Sequence, residues 1–189
     1  IYALECLNSF AGGKISWLKN NLKLINKAED SEVLSKKVKD NNGVYLIPAF
    51  SGLGPPFWVS DARAAFFGIS ASTNTNHLVR AGLESVAYQM VVYLKNLSVD
   101  GGMVKNKFFL QLISNLLEIE LNIPEMEDMS SYGALLFGMQ YYHNLKNTTG
   151  LNDFKVKNSK IIPNNDDSIR NSFSLWKEIV DKHFVKNQD

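Results

Sequence analysis

The sequence predicts one α/β domain. Helical stretches with apolar residues three and four positions apart alternate with short apolar runs typical of buried strands. Glycine pairs stand at two of the predicted helix starts, as in strand–turn–helix units. The chain has 189 residues, enough for one well-packed core and too few for two domains of usual size with a cleft between them. This alternation is typical of α/β folds.

The first half of the chain is predicted to open with a strand and then alternate helices with one further strand. Apolar spacing predicts a short strand at 2–4, helices at about 9–24 and 31–38, and a buried strand at 44–47. Residues 51–56 combine glycine and proline at a density that breaks both helix and strand, so a loop is expected there.

The second half continues the pattern. An apolar segment at 64–69 precedes a long helix with Asn74 or Thr75 as its N-cap. The elements expected from there on are a helix at about 76–94, a strand at 97–99, a helix at 105–117, a strand at 118–121, a helix at 132–142, a Lys- and Asn-rich linker or surface segment at 144–167, and a closing helix at 168–185. The closing helix should turn Phe173, Trp176, Ile179 and Val180 inward.

Composition excludes several classes of partner. Twenty basic and 19 acidic residues leave a net charge of +1, so no overall field favours nucleic acid or anionic lipid. No apolar run is long enough to span a membrane, and Ile1 opens without a leader pattern. The single cysteine, Cys6, excludes an internal disulfide and fits a reducing compartment. A cytoplasmic protein is therefore expected.

Two glycine-marked helix starts are the candidate ligand sites. At Asp100-Gly101-Gly102, between a predicted strand and helix, a ligand can approach bare backbone, and the helix N-terminus suits a phosphate or sugar. A plain tight turn is the alternative. Gly12 and Gly13 open another helix in the same manner, with close helix packing as the alternative.

Other known site patterns are missing from the sequence. No phosphate-binding loop of the Gly-x4-Gly-Lys-Ser/Thr type occurs, and Gly52 and Gly54 lack the strand-to-helix context of a dinucleotide fingerprint. The histidines, His77, His143 and His183, stand far apart without partners at metal-ligand spacing. No metal site is expected in this chain alone.

Four segments in order carry a resemblance to a known family. They are YALE at 2–5 with AG at 11–12 and WL at 17–18, PAFSGLGPPFW at 48–58, the run from 68 to 84 that ends in AGLE, and VDGG at 99–102 with Asn106 and SYGA at 131–134. In these segments the chain resembles the glycerol kinase group of the FGGY carbohydrate kinase family. The resemblance covers nearly the whole chain and fades after about residue 144.

The resemblance implies a ribonuclease H-like domain, of the actin, hexokinase and Hsp70 ATPase type, incomplete at its N-terminal strands. This chain would be most of the second of two domains that close over ATP and substrate. In the family, the backbone matching Gly102 and the side chain matching Asn106 contact the adenine nucleotide. Gly101 belongs to the same turn. Gly12 approaches the nucleotide from the opposite side, with Ser16 at a position where relatives often carry a longer polar side chain.

The implied activity is ATP- and Mg²⁺-dependent phosphorylation of glycerol to glycerol 3-phosphate. The family's general base and glycerol contacts precede the position matching Ile1, so no catalytic residue is assigned here and the chain alone should be inactive. Its expected partners are the missing N-terminal kinase domain and, since family members commonly dimerise, a second copy. A non-catalytic nucleotide- or partner-binding lobe and another FGGY sugar kinase remain the alternatives.

Overall fold

A computed structural model describes residues 11–91, 102–125, 129–146, 157–164 and 166–185. The predicted strands at 2–4 and 97–99 lie outside these ranges. The helices are α1 (Ala11–Asn20), α2 (Asp30–Ser35), α3 (Thr75–Val91), α4 (Lys107–Leu117), α5 (Met129–Lys146) and α6 (Asp167–His183). The strands are β1 (Tyr45–Ile47), β2 (Ala65–Phe67), β3 (Leu121–Pro124) and β4 (Asn158–Ile161), and a short 3₁₀ helix spans Gly102–Lys105.

The described strands form two antiparallel pairs within a mixed α/β architecture. β1 pairs with β2, with Leu46 opposite Phe66. β3 pairs with β4, with Asn122 opposite Lys160. β1 is buried at all three positions, as its continuous apolar sequence predicts, whereas β4 is largely exposed. The α/β prediction is confirmed in this mixed form.

Helix α3 is the centre of the fold. Every residue from Val79 to Tyr88 is buried, and the helix packs against α1, α2, α4 and β1. A helix that is buried all round must be covered on every side, and α3 is covered by these four elements. It thereby joins the first half of the chain to the elements around Gly102.

The closing helix α6 is held to β1 by a buried indole. Trp176 is fully buried, and its Nε1 donates a hydrogen bond of 2.9 Å to the carbonyl oxygen of Leu46. Val180 is buried as well, and Phe173 and Ile179 pack against the same core. The four inward positions predicted for this helix are confirmed.

Most of the differences between the predicted and the observed element boundaries arise at the ends of helices. Asn74 is the cap of α3, since its Oδ1 accepts hydrogen bonds from the backbone N–H groups of Asn76 and His77. The first helix ends at Asn20 rather than near residue 24, because Lys23 takes a left-handed conformation (φ 55°) and reverses the chain. The described part of α3 reaches Val91, and its predicted end at 94 lies outside the described residues.

The strand predicted at 118–121 is wrong in position. Glu118 adopts the left-handed conformation (φ 55°, ψ 34°) that ends α4, and the strand therefore begins only at Leu121. Two described parts of the segment 144–167 form regular structure. Helix α5 continues into it as far as Lys146, and β4 lies inside it, paired with β3.

A buried polar network around the Arg80–Glu84 ion pair of α3 links this helix to its neighbours. Arg80 Nε lies 2.8 Å from Glu84 Oε1, while Glu84 Oε2 accepts hydrogen bonds from Asn41 Nδ2 at 2.8 Å and from the Tyr88 hydroxyl at 3.3 Å. Burial raises the pKa of Glu84, although the charge of Arg80 opposes this shift. The Arg80 guanidinium also stacks over the Phe108 ring, 5.2 Å from its centre, which links the network to α4.

Candidate nucleotide-binding site

Helix α1 exposes Gly12 and Ser16 on its outer face. Gly12 and Ser16 are exposed, four residues apart on one face, while Ile15 and Leu18 are buried on the other. The hydrophobic contacts of Ile15 and Leu18 anchor the helix, so its outer face is left for other contacts.

Helix packing does not explain the glycine at position 12. Among the described residues, a Cβ added at Gly12 would meet no heavy atom within 4 Å. By contrast, a Cβ at Gly82 would meet the side chain of Leu18 at 2.7 Å, so packing does explain that glycine. At Gly12 the described residues therefore leave the backbone open, and a flat ligand could approach it closely.

The second glycine-marked opening starts with a 3₁₀ helix. Gly102 is its first residue, and Asn106 follows it as the N-cap of α4. Gly101 lies outside the described residues. The opening is compact, because the backbone N–H of Asn106 donates to the carbonyl oxygen of Met103 at 3.1 Å.

Asn106 is half-buried, and its side-chain oxygen is hydrogen-bonded within its own helix while its side-chain nitrogen is not. Its Oδ1 accepts a hydrogen bond of 2.9 Å from the backbone N–H of Phe109. Its Nδ2 donates to the hydroxyl of Ser31 on α2 at 3.4 Å, a long contact. The N–H of Phe109 is therefore not free to bind a phosphate or sugar at this helix start, because Asn106 already satisfies it.

One hydrophobic cluster brings the two openings to the same part of the fold. Ile15 and Leu18 of α1 are buried in it, together with Val79 and Leu83 of α3. Met103, next to Gly102, packs against the same cluster, as does Phe108. The core beneath the outward face of α1 is thus also the core beneath the 3₁₀ helix.

Lys14 of α1 is a buried residue that the sequence analysis missed. It is 1% exposed, and its Nζ bonds to Oε1 of Gln89 on α3. Burial lowers the pKa of Lys14 to about 7. Since a lysine in a helix is ordinarily read as a solvated residue, the sequence carries no signal for its burial.

Other marked features of the chain involve none of the five predicted contact residues. A depression of about 460 Å³ is lined by α2, α3 and the segment 24–26, and none of the five predicted contact residues lines it. Trp58 is 75% exposed and takes a left-handed conformation shortly after the glycine- and proline-rich segment 51–56. The described residues contain no group of three or more His, Cys, Asp or Glu side chains placed to hold a metal ion. None of the helices formed by the described residues has both the length and the apolar character that crossing a membrane requires.

A comparison with known protein families shows to which family this chain belongs. Residues 1–141 match the FGGY family of carbohydrate kinases, C-terminal domain. The chain belongs to this family. The resemblance seen in the four sequence segments is thereby confirmed, and so is the expectation that the chain corresponds to the second of the family's domains.

The relatives of this FGGY domain include many glycerol kinases. Those of Salmonella arizonae and Citrobacter koseri are both 40% identical to it, over 96% and 95% of the chain respectively. The glycerol kinase of Plasmodium falciparum, solved with ADP, is 30% identical over 93% of the chain, with a TM-score of 0.78. A xylulose kinase from Lactobacillus acidophilus has a TM-score of 0.74 at 18% identity, which shows the common fold alone. The chain spans 38% of the length of these bacterial glycerol kinases.

Proposed function

We propose that this chain is the nucleotide-binding domain of a cytoplasmic glycerol kinase, which transfers the γ-phosphoryl group of ATP to glycerol and releases ADP and glycerol 3-phosphate. The observation that carries the proposal is the 40% identity to glycerol kinases along 96% of the chain. The neighbour solved with ADP is a glycerol kinase too, and supports an adenine nucleotide as the ligand.

The nucleotide lies between the two glycine-marked openings. Gly12 and Ser16 of α1 form one wall, and Gly101, Gly102 and Asn106 form the other. The exposed, open backbone at Gly12 supports this assignment, because a side chain there would hinder a flat base or ribose. The shared hydrophobic cluster under α1 and Met103 supports it as well.

The chemistry is divided between two domains. This chain binds and orients the nucleotide, while the domain that it lacks supplies the general base and the glycerol contacts. The Mg²⁺ ion that accompanies ATP neutralises the charge of its phosphates. Closure of the two domains then excludes water from the transferred phosphoryl group.

The direct test uses the natural full-length protein. ADP release is measured with ATP, Mg²⁺ and either glycerol or a pentulose such as xylulose. Faster turnover with glycerol supports the proposal. Preference for the pentulose indicates another sugar kinase of the family, and no turnover with any polyol indicates a non-catalytic lobe. The 189-residue chain alone is the matched control and should show no turnover, because the proposal assigns the general base and the opposite side of the cleft to the other domain.

A further inference from the structure

Ser31 of α2 is buried beside Asn106, one of the proposed nucleotide contacts. Ser31 is only 1% exposed, and its Oγ lies 3.4 Å from Nδ2 of Asn106, although 75 positions separate the two residues in the chain. Helix α2 packs against both α3 and α4, and its Leu34 packs against the hydrophobic cluster that α1 and α3 share. Ser31 thus lies in neither glycine-marked opening but contacts one of them.

The direction of each hydrogen bond around Asn106 follows from groups that can only donate or only accept. The backbone N–H of Phe109 can only donate, so the atom that it meets at 2.9 Å is Oδ1 of Asn106. The carbonyl oxygen of Ala28 can only accept, so it receives the single hydroxyl proton of Ser31, at 2.6 Å. The oxygen of Ser31 is then an acceptor for the amide nitrogen of Asn106.

These contacts allow the side-chain amide of Asn106 only one orientation. If the amide turned over, its NH₂ group would face the N–H of Phe109 and its oxygen would face the oxygen of Ser31. Both pairs would then bring like groups together, donor against donor and acceptor against acceptor. In the observed orientation Ser31 accepts one hydrogen of the NH₂ group, and the second hydrogen is left for another acceptor.

We propose that Ser31 is a positioning residue for the nucleotide: it holds the amide of Asn106 so that Nδ2 donates to an acceptor atom of the base or ribose. This inference rests on the proposed function, in which Asn106 forms part of one wall of the nucleotide site. Asn106 is half-buried, so its side chain is still within reach of a ligand. An amide that could turn over would present its oxygen to the same acceptor, and the contact would be repulsive.

A purely local role for Ser31 is the competing explanation. A serine hydroxyl often bonds to a carbonyl oxygen three or four residues earlier, as Ser31 does to Ala28, and such a bond requires no ligand. Ser35 provides a matched control, because it lies one turn further along α2 and is fully buried. Its hydroxyl has no hydrogen-bond partner in the described part of the chain.

The first experiment measures the Kd for ADP by calorimetric titration of the natural full-length protein. Ser31→Ala should raise this Kd about three- to tenfold, the effect of losing one neutral hydrogen bond. Ser35→Ala should leave it within about 1.5-fold, and urea unfolding shows that both variants fold. A change of less than about 1.5-fold in Ser31→Ala overturns the proposal, and so does an equal change in both variants, which would indicate packing of α2 alone.

The second experiment is a double-mutant cycle with Asn106→Ser, which keeps a residue able to cap α4 but removes the amide. Asn106→Ser alone should weaken ADP binding. Adding Ser31→Ala in that background should change the Kd by less than about 1.5-fold, because Ser31 acts only through the amide. Independent effects that add in the double variant overturn the proposal.

The cycle also separates this inference from the function on which it rests. If Asn106→Ser weakens ADP binding and Ser31→Ala does not, the positioning role of Ser31 is refuted and the nucleotide site stands. If neither substitution changes the Kd, Asn106 is not a nucleotide contact, and the proposed site fails together with the role of Ser31.

Discussion

Replacing Gly12 by alanine separates a structural glycine from a nucleotide-contacting one. The position is exposed and helical, and the added Cβ would meet nothing within 4 Å among the described residues. Alanine in an exposed helix position is favoured over glycine by about 1 kcal/mol, and by somewhat less in the first turn. Gly12→Ala should therefore raise the free energy of unfolding by about 0.5 to 1 kcal/mol.

The same methyl group should weaken nucleotide binding. If the base or ribose rests on bare backbone at Gly12, the Cβ displaces it, and the Kd for ADP should rise at least about tenfold, which is roughly 1.4 kcal/mol. Both quantities are measured on the natural full-length protein, by urea unfolding and by calorimetric titration with ADP. A variant that is more stable yet binds ADP more weakly is the expected result.

Gly133→Ala is the matched control for this experiment. Gly133 is also helical, and its added Cβ would likewise meet nothing within 4 Å in the described chain. It should gain similar stability without a change in ADP affinity. If Gly12→Ala also leaves the affinity unchanged, Gly12 is not a nucleotide contact. If it instead destabilises the protein, the outer face of α1 is not open.

Three further experiments test the packing of the described fold. Gly68→Ala should destabilise the protein by about 3 kcal/mol or more in urea unfolding, because φ is +75° and the new Cβ would lie 2.0 Å from a backbone carbonyl oxygen; a cost below about 1 kcal/mol would refute this packing. Glu84→Leu should cost about 3 to 5 kcal/mol by leaving Arg80 buried without its partner, and the double variant Arg80→Met/Glu84→Leu should recover most of that loss. Lys14 has a folded pKa of about 7, below its unfolded value near 10.5, so the folded state is penalised by up to about 5 kcal/mol below pH 7, and the penalty disappears as the pH rises towards 10.5. Lys14→Met should therefore stabilise the protein at pH 6 and lose that advantage near pH 10; an equal gain at both pH values would contradict the assigned burial.

Elements with strong apolar patterns were predictable from the sequence. The continuous run at 44–47 and the spacing of Phe173, Trp176 and Val180 correctly predicted a buried strand and the inner face of the closing helix. In these elements local spacing and tertiary burial favour the same structure. The family was predictable as well, because several motifs stand in the same order as in its members.

Elements that depend on one backbone conformation or on distant pairing were not predictable. Because Glu118 adopts the left-handed conformation, β3 begins later than predicted, and a glutamate gives no indication of that conformation in the sequence. Strand β4 has the exposed, polar sequence of a surface loop and exists through its pairing with β3. Such pairing is set by tertiary contacts rather than by intrinsic propensity.

The candidate site was predictable in part. The glycine pairs at two helix starts predicted Gly12 and Gly102 as ligand contacts. At Gly12, however, the sequence alone could not distinguish a ligand site from close helix packing. What counts against packing is the open space that the described residues leave around Gly12. The burial of Lys14 depends on α3, which lies more than sixty positions further along the chain, and no local pattern reveals it.

Amide hydrogen exchange of the natural full-length protein, with and without ADP and glycerol, tests most directly whether α1 and the Gly102 opening hold one nucleotide. Peptides covering 12–16 and 101–106 should both become protected when ADP binds, and Gly12→Ala should reduce both effects together. Phosphorylation of glycerol with neither segment protected, or protection of only one of them, would contradict the account.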